Sequence, residues 1–449
     1  MLFNFKKNNS TLQKTDQPFK FLSYYFDKTK STAIFCYQSP NNIIFTEKVF
    51  FSPLQKFNSN QDPKLDHLLD QAMFLTFIAV GTSYYKAMPT PNIQLEAKID
   101  NFQANFFNKI YQEGLSQFAF ENHLTRDQLA HFFPTLNFTA PPPVPFKPSG
   151  IISLQSGGKD SILTATLLKR KNLNFTPWYV SSNAENSHPQ LIDHYFDETT
   201  PQSAQIVTRQ IDHEHLSNLK GLNGHVPITL INLCFAIIQA ILDGKQFILT
   251  SVSQEGEEPA SYIGDLPVNH QWSKTWEAEQ LTAAYVERYI TPDLAVGSPL
   301  RCLSELAVAE RFVNLCWQNY GLTFSSCNKM NYRQHQSNSV LKWCGECAKC
   351  ANTYLLFCPF LPPEQLQQLF ADQDLFTKEN LMPIFQGLLS VNSQPKPFEC
   401  VSSADQLRFA YHHRQTNYSK LPFEVPLSNF NYQTFYPMQT KIANLNLLS

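Results

Sequence analysis

A short apolar run that ends in two adjacent glycines is the feature that most constrains the fold of this chain. Residues 150–155 are rich in isoleucine, and Gly157 and Gly158 follow before apolar residues recur at helical spacing between Ile162 and Leu168. This order predicts a buried parallel strand, a tight turn and a helix. Two glycines allow the backbone to approach an anion, and the N–H groups of a helix N-terminus attract negative charge. The turn is therefore a candidate anion-binding loop.

The side chains of this loop are also suited to an anion. Lys159 adds a positive charge, and the hydroxyl groups of Ser156 and Ser161 add hydrogen-bond donors. The spacing differs from that of a Walker A loop. It resembles the pyrophosphate-binding loop of the N-type ATP pyrophosphatases, which cleave ATP to AMP and pyrophosphate. The alternative is an ordinary glycine turn before a helix. The resemblance implies that ATP binds to Ser156, Gly157, Gly158, Lys159, Asp160 and Ser161.

The length of the chain and one proline-rich segment predict its domain organisation. A chain of 449 residues is long enough for two or three domains. Five of the eight residues at positions 141–148 are prolines, which predicts a stiff, extended linker. We expect an α+β N-terminal domain at residues 1–139, a linker at 140–149, an ATP pyrophosphatase domain at 150–360 that includes the cysteine-rich segment, and a helical or irregular extension at 361–449.

The apolar pattern predicts an α/β fold after the linker. Strands are predicted at residues 151–155, 175–180, 247–252, 294–296 and 323–326. Helical patterns occupy residues 226–242, 272–289 and 304–318. This alternation predicts a parallel sheet covered by helices, with ligands at the carboxyl ends of the strands, and the resemblance to the pyrophosphatases implies a HUP-like domain. In the N-terminal domain, strands are predicted at residues 20–26, 31–37 and 43–45 and helices at 64–80 and 101–118.

Four cysteines have the spacing of a metal site. Cys344, Cys347 and Cys350 form a CxxCxxC motif, and Cys327 precedes it by seventeen positions. Four thiolates complete the tetrahedral coordination of a structural Zn²⁺ and leave no open position for catalysis. A similar arrangement closes the ATP domain of 7-cyano-7-deazaguanine synthases. An iron–sulfur cluster and cysteines without metal are the alternatives, and we expect a four-cysteine zinc knuckle.

Polar residues recur where predicted strands give way to helices, which is the edge at which α/β active sites form. His225, Asn269 and Arg301 lie at such transitions and are candidate substrate-binding residues. Each of them also has an ordinary structural interpretation. An acidic loop after the strand at 247–252 is a candidate Mg²⁺ site beside pyrophosphate, although a solvated loop explains it almost as well. Its three acidic residues are Glu255, Glu257 and Glu258.

The overall composition disfavours two classes of partner. The formal net charge is −2 and charged residues make up 16% of the chain, so the sequence lacks the basic character typical of nucleic-acid binding. The apolar stretch at 226–242 is too short and too polar for a membrane span. The first 17 residues contain lysines but no apolar core, unlike a signal peptide. We expect a cytoplasmic protein that binds neither nucleic acid nor membrane.

Seven segments in order along the chain narrow the resemblance to one family. They are residues 156–161, 223–229, 268–274, 303–306, 325–328, 343–350 and 396–401. Together with Tyr84, Tyr85 and Lys86, these segments resemble the MurL-type UDP-N-acetylmuramoyl-L-alanyl-L-glutamate epimerases of bacterial peptidoglycan synthesis. The resemblance covers residues 20–413. One departure is Cys302, which stands where a proline is expected, and we give it no catalytic role.

The family resemblance implies a reaction and its partners. It implies an isomerase that inverts the terminal L-Glu of UDP-MurNAc-L-Ala-L-Glu through an acyl-adenylate, with ATP, Mg²⁺ and a structural Zn²⁺. Such an enzyme would act after a ligase that adds L-Glu to UDP-MurNAc-L-Ala, in the synthesis of cell-wall precursors. The candidate proton carriers are His270, Lys274, Glu305, Glu399 and Cys400, with His225 considered as well.

Two other functions remain open from the sequence. Another adenylating enzyme of the same superfamily, acting in tRNA thiolation or deazaguanine formation, fits the loop and the cysteines. The nearly neutral charge and an N-terminal region without a basic, aromatic RNA-binding pattern disfavour it. A zinc-containing nucleotide sensor without catalysis is the second alternative. The presence of Lys159 and Asp160 in the loop argues against an inactive site.

Overall fold

The computed structural model describes residues 16–52, 63–182, 204–219, 221–331 and 340–449, and the statements below concern these ranges. The β-strands are β1 (Phe19–Asp27), β2 (Thr32–Gln38), β3 (Ile44–Phe50), β4 (Ile93–Leu95), β5 (Ile151–Leu154), β6 (Phe175–Ser181), β7 (Gln205–Gln210), β8 (Phe247–Leu249), β9 (Ser261–Ile263), β10 (Leu266–Val268) and β11 (Ala295–Gly297).

The α-helices in these ranges are α1 (Pro63–Tyr85), α2 (Asn101–Gln112), α3 (Ser116–Glu121), α4 (Lys159–Arg170), α5 (His213–Leu219), α6 (Ile228–Asp243), α7 (Trp276–Tyr285), α8 (Glu305–Tyr320), α9 (Asn328–Asn331), α10 (Ala348–Phe357), α11 (Pro363–Gln367), α12 (Met382–Leu388), α13 (Ala404–His412) and α14 (Thr440–Ala443). A π-helical turn at Val286–Ile290 extends α7, and a short 3₁₀ turn at Trp272–Lys274 precedes it. None of the described helices combines the length and apolar character that a membrane crossing requires.

Local sequence signals explain several helix ends. Asp100 and Gln103 form a capping box at α2, with the Gln103 N–H donating to Asp100 Oδ1 at 3.0 Å. The Ser304 hydroxyl oxygen accepts the Ala307 N–H at 3.1 Å and caps α8. At the end of α6, Gly244 has φ +66°, a conformation that glycine adopts without steric cost. These caps satisfy backbone groups that helices leave unpaired at their ends.

Nine strands form one mixed sheet in the order β11-β8-β5-β6-β7-β3-β2-β1-β4. The five strands from β11 to β7 are parallel to their neighbours, whereas β7, β3, β2 and β1 pair antiparallel and β4 adds a parallel edge. The α/β class and the mostly parallel central sheet are therefore confirmed. The HUP-like assignment stays a prediction.

Hydrophobic cores cover the two faces of this sheet. In β5, Ile151 belongs to one core and Ile152 to the other, as expected when successive side chains point to opposite faces. The first core contains α1 and α6, and the second contains α4, α8 and α10. The first core joins residues on both sides of the proline-rich segment, and the predicted domain boundaries at 139, 149 and 360 stay predictions.

The predicted strands were found with two differences. The strand predicted at 247–252 ends at Leu249, because the next residues hydrogen-bond to the chain after β11: the Val252 N–H donates to Ser298 Oγ at 2.9 Å. The strand predicted at 323–326 is wrong. Residues 324–327 have no regular structure, because the Ser325 N–H donates to Gly157 O at 3.1 Å and Phe324 O accepts from Trp343 Nε1 at 2.8 Å.

A buried ion pair lies where the antiparallel strands meet the parallel ones. Arg209 of β7 donates from Nε to Glu47 Oε1 of β3 at 2.7 Å and from Nη2 to Oε2 at 3.1 Å. Glu47 is 0% exposed and Arg209 is 5% exposed. Helix α1 joins the pair through Ser83, whose hydroxyl accepts from Arg209 at 2.7 Å, and Tyr84, whose hydroxyl donates to Glu47 at 2.9 Å. We call these four side chains the seam cluster.

We expect Arg209→Met to lower the free energy of unfolding by about 3–5 kcal/mol, because it leaves a buried carboxylate without its cation. The double variant Glu47→Leu/Arg209→Met should lose less, since both charges are removed. Urea unfolding followed by circular dichroism measures the effect. Lys28→Met, which breaks an exposed pair with Asp66, is the control and should change stability by about 0–1 kcal/mol. Equal effects of Arg209→Met and Lys28→Met would contradict this prediction.

Candidate functional site

A concave site lies at the carboxyl end of β5, where β6 and β8 flank that strand on opposite sides. At such a point the chain connections leave the sheet in opposite directions and open a crevice between them. The cavity has a volume of about 500 Å³ and is lined by residues of β6, by residues that follow β5 and β8, and by residues of α6, α8 and α10. We call it the larger cavity.

The predicted anion-binding loop forms one wall of the larger cavity. Gly157 has φ +77°, which favours glycine, and Gly158 is the residue that precedes α4. The Ser161 hydroxyl donates to Gly158 O at 3.0 Å, which fixes the turn. The lining includes five of the six predicted ATP-binding residues: Ser156, Gly158, Lys159, Asp160 and Ser161. The N-terminus of α4 thus opens into the cavity, where its N–H groups suit a phosphate.

Lys159 is a charged, buried group within this wall. Its Nζ lies 2.9 Å from both carboxylate oxygens of Asp160 and 3.9 Å from Glu305 Oε1. Burial by itself lowers the pKa of Lys159, but the charges of Asp160, Glu305 and Glu255 outweigh it, and the net shift is upward. Lys159 is therefore cationic at neutral pH.

A second, smaller cavity of about 200 Å³ adjoins the larger one. The residues that line both cavities are Glu255, His270, Gln271, Lys274 and Cys400. The structure brings the five predicted proton carriers together around these cavities. His270, Lys274 and Cys400 line both, Glu305 lines the larger one, and Glu399 lines the smaller one. Their roles in catalysis stay predictions.

Two histidines pack against each other in the wall of the larger cavity. The ring centroids of His225 and His270 are 4.7 Å apart. His270 Nδ1 lies 2.7 Å from Gln117 Oε1, whereas His225 Nε2 is buried and has no hydrogen-bond partner among the described residues. Burial, with nearby positive charge, lowers the pKa of His270 to about 4 and holds that of His225 well below its usual value. Both imidazoles are neutral at neutral pH.

Lys86, which follows α1 directly, holds the loop that carries His225. Lys86 Nζ donates to Gly224 O at 3.0 Å. Burial lowers the pKa of Lys86 to about 8, with a further contribution from the positive charge of Arg209. Lys86 follows directly after α1, which also supplies Ser83 and Tyr84 to the seam cluster. The junction of the two sheet halves therefore also sets the position of the His225 loop.

Lys274 is held by a carboxylate at the junction of the cavities. Its Nζ lies 3.2 Å from Glu255 Oε1. Burial alone lowers the pKa of Lys274, but Cys400, Glu255 and Asp160 together raise it above its usual range. Lys274 is therefore cationic, and its charge lies close to the Cys400 thiol.

Glu305 begins α8 beside the anion-binding loop. The Ser402 hydroxyl hydrogen-bonds to its Oε2. Burial raises the pKa of Glu305 to about 7, and the negative charges of Glu255 and Asp160 add to the effect while Lys159 opposes it. A carboxyl group that exchanges its proton near neutral pH is suited to general acid–base catalysis.

Two predicted substrate-binding residues lie outside both cavity linings. Arg301 is 1% exposed, and its guanidinium donates to Glu279 Oε2 at 3.0 Å, Ser253 O at 2.7 Å and Lys274 O at 3.0 Å. It holds the loops that carry Glu255 and Lys274. The Asn269 N–H donates to Ser116 Oγ at 3.2 Å, and its Oδ1 is buried without a described partner. Their substrate contacts stay predictions, whereas His225 lines the larger cavity.

The acidic loop after β8 does not gather its carboxylates at one point. Glu255 pairs with Lys274, Glu257 accepts the Trp276 N–H at 2.6 Å, and Glu258 pairs with Lys396. Among the described residues, the group of His, Cys, Asp or Glu side chains close enough to share an ion is the cysteine cluster. A Mg²⁺ bound with ATP stays a prediction.

The geometry of the cysteine cluster fits a tetrahedral metal. The Sγ atoms of Cys327 and Cys347 are 3.7 Å apart, those of Cys344 and Cys350 are 3.7 Å apart, and those of Cys347 and Cys350 are 3.5 Å apart. A Zn–S bond of about 2.3 Å gives a tetrahedron whose edge is about 3.8 Å. All four sulfur atoms lie within 4.8 Å of one another. The cysteines present therefore fit the expected structural Zn²⁺.

The sequence reasoning missed three cavity residues that the cluster positions. Helix α10 begins directly after Cys347, and Lys349, Asn352 and Thr353 on this helix line the larger cavity. A signal was present, since Lys349 lies inside the CxxCxxC motif and positions 349, 352 and 353 share one face of a helix. The spacing of the cysteines predicts only a metal site and assigns no role to the residues between them.

Comparisons with known proteins give one consistent result. A family model described as the MurL N-terminal domain matches residues 10–298, and one described as the MurL C-terminal domain matches residues 323–423. A protein of Xanthomonas oryzae pv. oryzae (strain MAFF 311018), named UDP-N-acetyl-alpha-D-muramoyl-L-alanyl-L-glutamate epimerase, is 32% identical over 350 residues, which cover 76% of this chain and 74% of that protein.

Proteins with the same name from two other bacteria align over more of the chain. The protein of Salinispora tropica is 29% identical over 405 residues, covering 89% of this chain and 84% of the relative. The protein of a Micromonospora species (strain ATCC 39149) is 29% identical over 408 residues, covering 89% and 86%. These alignments extend over most of the chain and are not confined to one motif.

We expect the purified protein to contain about one zinc ion per chain, and we expect Cys344→Ser to lose it. Because metal binding contributes to folding energy, the variant should have a Tm at least about 5 °C lower. Metal analysis by mass spectrometry and thermal unfolding measure both effects. Cys36→Ser, which changes a cysteine outside the cluster, is the control. A metal-free protein whose Tm is unaffected by Cys344→Ser would contradict the zinc site.

Glu305 should make stability depend on pH in a defined direction. Its pKa is about 7 in the folded protein against an ordinary value of 4.5, so between these values only the folded state keeps the proton. Stability from this group therefore falls as pH rises through this window. Glu305→Gln cannot ionise, so its Tm relative to wild type should increase between pH 5 and pH 8. A Tm difference that is constant over this range would contradict the prediction.

Proposed function

This chain belongs to the MurL family, and from that premise we propose that it is an epimerase that inverts the terminal L-Glu of UDP-MurNAc-L-Ala-L-Glu. The names of its relatives support this substrate. We propose further that the inversion consumes ATP and forms an acyl-adenylate. The observation that carries this step is the anion-binding loop at one wall of a cavity whose other walls carry several ionisable side chains.

Activation with ATP addresses the difficulty of removing the α-proton. In the free substrate, the α-carbon is next to a carboxylate, and deprotonation would place two negative charges on neighbouring atoms. Converting the carboxylate to a mixed anhydride with AMP removes one of these charges and makes the carbonyl group electron-withdrawing. The α-proton becomes more acidic, and positioned hydrogen-bond donors can stabilise the resulting enolate.

The first step places the loop residues in definite roles. A carboxylate oxygen of the substrate attacks the α-phosphorus of ATP, the bond to the bridging oxygen of the β-phosphate breaks, and pyrophosphate leaves. The N–H groups at the start of α4 and the ammonium of Lys159 bind the departing pyrophosphate. A Mg²⁺ bound with ATP would add positive charge at the phosphates. After inversion, water cleaves the anhydride and releases AMP and the free carboxylate.

Inversion requires one group that removes the proton and another that returns a proton on the opposite face. The rings of His225 and His270 are 4.7 Å apart, too close for a substrate carbon to lie between them. At least one carrier therefore comes from another element. Cys400 is well placed, since it lines both cavities and lies close to the charge of Lys274. Glu305, with a pKa of about 7, is the other strong candidate.

The proposed place in metabolism follows from the substrate. An enzyme with this activity acts after a ligase that attaches L-Glu to UDP-MurNAc-L-Ala, and it supplies the D-Glu isomer for cell-wall precursors. This route to D-Glu in the precursor does not use free D-glutamate, because the inversion occurs after L-Glu has been attached to UDP-MurNAc-L-Ala. Pyrophosphate and AMP are the expected by-products.

The test is isotope exchange at the glutamate α-carbon. In deuterated water with UDP-MurNAc-L-Ala-L-Glu, ATP and Mg²⁺, we expect the D-Glu product to carry deuterium and AMP to form. Omission of ATP should abolish both exchange and inversion. Lys159→Met should lower the rate at least about 100-fold, since a charge-assisted contact to phosphate is lost. Chiral analysis and mass spectrometry of the hydrolysed product provide the measurement.

Lys171→Met is the matched control, because it removes the same charge at the far end of α4, where Lys171 contacts Ser449. Its rate should stay within about twofold of wild type. Exchange that proceeds equally without nucleotide would overturn the adenylation scheme. Absence of any inversion with ATP present would overturn the epimerase assignment itself.

A further inference from the structure

Lys349 differs from the other lysines around the two cavities. Lys159 contacts Asp160, Lys274 contacts Glu255, and Lys396 contacts Glu258. Lys349 lines the larger cavity and forms no ion pair or hydrogen bond with another described residue. Its charge acts on Glu255 and His270 at the junction of the two cavities. A half-buried ammonium group that has no partner in the described part of the chain is available for an anion from a ligand.

The helix that carries Lys349 presents two more polar groups to the same cavity. Asn352 and Thr353 follow at the i+3 and i+4 positions and also line the larger cavity. Asn352 is 5% exposed, and its Oδ1 accepts the Ser402 N–H at 2.9 Å, which leaves its NH₂ group without a described partner. Lys349 lies in the first turn of α10, where the helix dipole favours negative charge, and the three groups share one side of the helix. They form a face rich in donors.

The cysteine cluster fixes this face in position. Cys347 immediately precedes α10 and Cys350 lies in its first turn, so both ends of the segment that contains Lys349 belong to the cluster. The opposite side of the cluster reaches the anion-binding loop, because the Ser325 N–H donates to Gly157 O at 3.1 Å and the Ser325 hydroxyl accepts the Cys327 N–H at 3.1 Å. The face of α10 and the loop are therefore held in one frame.

Unsatisfied polar atoms elsewhere in the lining indicate that the larger cavity takes a polar ligand. Gln155 Oε1 and Trp178 Nε1 are buried without a hydrogen-bond partner among the described residues, and these side chains are 4% and 1% exposed. Both residues line the larger cavity. Since buried polar groups are nearly always satisfied in native proteins, these two atoms are suited to hydrogen-bond to a polar ligand in the cavity. This observation is independent of the charge of Lys349.

We propose that Lys349, Asn352 and Thr353 form a second anion site, which holds a carboxylate or phosphate group of the substrate that accepts the AMP group. We call this substrate, UDP-MurNAc-L-Ala-L-Glu, the acceptor. The site is distinct from the loop at residues 156–161, which we assign to the ATP phosphates. The identity of the acceptor rests on the proposed function. The UDP-muramoyl dipeptide carries anionic oxygens at its two glutamate carboxylates and at its diphosphate, and the site recognises one of these groups.

The test measures binding separately from turnover. Isothermal titration gives the Kd of UDP-MurNAc-L-Ala-L-Glu and, separately, of α,β-methylene-ATP for wild type and for Lys349→Met. We expect the acceptor Kd to rise about 10- to 100-fold, as for loss of a hydrogen bond to a charged group. The nucleotide Kd should change less than about threefold. Lys349→Arg should keep most of the affinity, and Lys420→Met, an exposed lysine, should behave as wild type.

Two further ligands identify the anionic group. The first ligand is UDP-MurNAc-L-Ala-L-Gln, in which an amide replaces the γ-carboxylate, and the second is UDP. If the site binds the γ-carboxylate, wild type should bind the glutamine acceptor weakly, and Lys349→Met should not lower that affinity further. If Lys349→Met weakens the glutamate and glutamine acceptors equally, the site holds another group. A matching loss of affinity for UDP alone then identifies the diphosphate, and unchanged UDP affinity identifies the α-carboxylate. Each result supports the site and names its ligand.

An unchanged acceptor Kd in Lys349→Met, or a rise of the nucleotide Kd as large as that of the acceptor, would overturn the proposal. Zinc content and Tm of each variant show whether it is folded. If Lys349→Met fails to fold, Thr353→Val tests the same face and should weaken acceptor binding alone. A wild-type protein that binds the acceptor but does not invert it would overturn the proposed function and leave this site standing. No binding of the acceptor would overturn the site.

Discussion

The ion pair between Arg209 and Glu47 is the interaction on which the arrangement of this molecule depends. It lies where the parallel strands end and the antiparallel strands begin, so one buried contact links the parallel and antiparallel parts of the sheet. Two buried charges are costly unless each is fully paired, and here Ser83 and Tyr84 supply the remaining partners. The same helix leads into Lys86, which holds the backbone beside His225. The seam cluster and the His225 wall of the larger cavity are thus parts of one polar network.

Among the described residues that line the larger cavity, the charged side chains are arranged as pairs, and Lys349 is the exception. Lys159 and Lys274 keep their protons despite burial because Asp160 and Glu255 contact them. Such pairs are oriented without a ligand, so the proposed binding of phosphate requires little reorganisation, which is the condition for effective electrostatic catalysis. Glu305 lies at the edge of this network and keeps a proton near neutral pH. Lys349 makes no ion pair or hydrogen bond with the described part of the chain, and this is why we assign it to a ligand.

The parts of the site that could be predicted from sequence are those encoded by short continuous segments. The anion-binding loop depends on glycines and a helix start within six residues, and the cysteine cluster depends largely on one CxxCxxC motif. Both are found in the structure, as loop geometry and as a compact group of thiols.

The strand predicted at 323–326 was wrong because tertiary contacts with Gly157 and Trp343 use its backbone groups. Strand β7 was not predicted, and Lys349 gained its meaning only from which side of α10 faces the cavity. The pairing of β3 with β7 could not be predicted from local sequence patterns, since it joins segments far apart in the chain.

The junction of the two cavities has a consequence for the order in which the molecule matures. The anion-binding loop follows residue 155, whereas Lys396, Glu399 and Cys400 reach the smaller cavity from near the end of the chain. Because a chain is synthesised from its N-terminus, the segment at residues 396–400 can close the smaller cavity only after the anion-binding loop and α4 have been made. The two cavities therefore meet at a contact between segments far apart in the chain, and the smaller cavity forms only when both segments are folded.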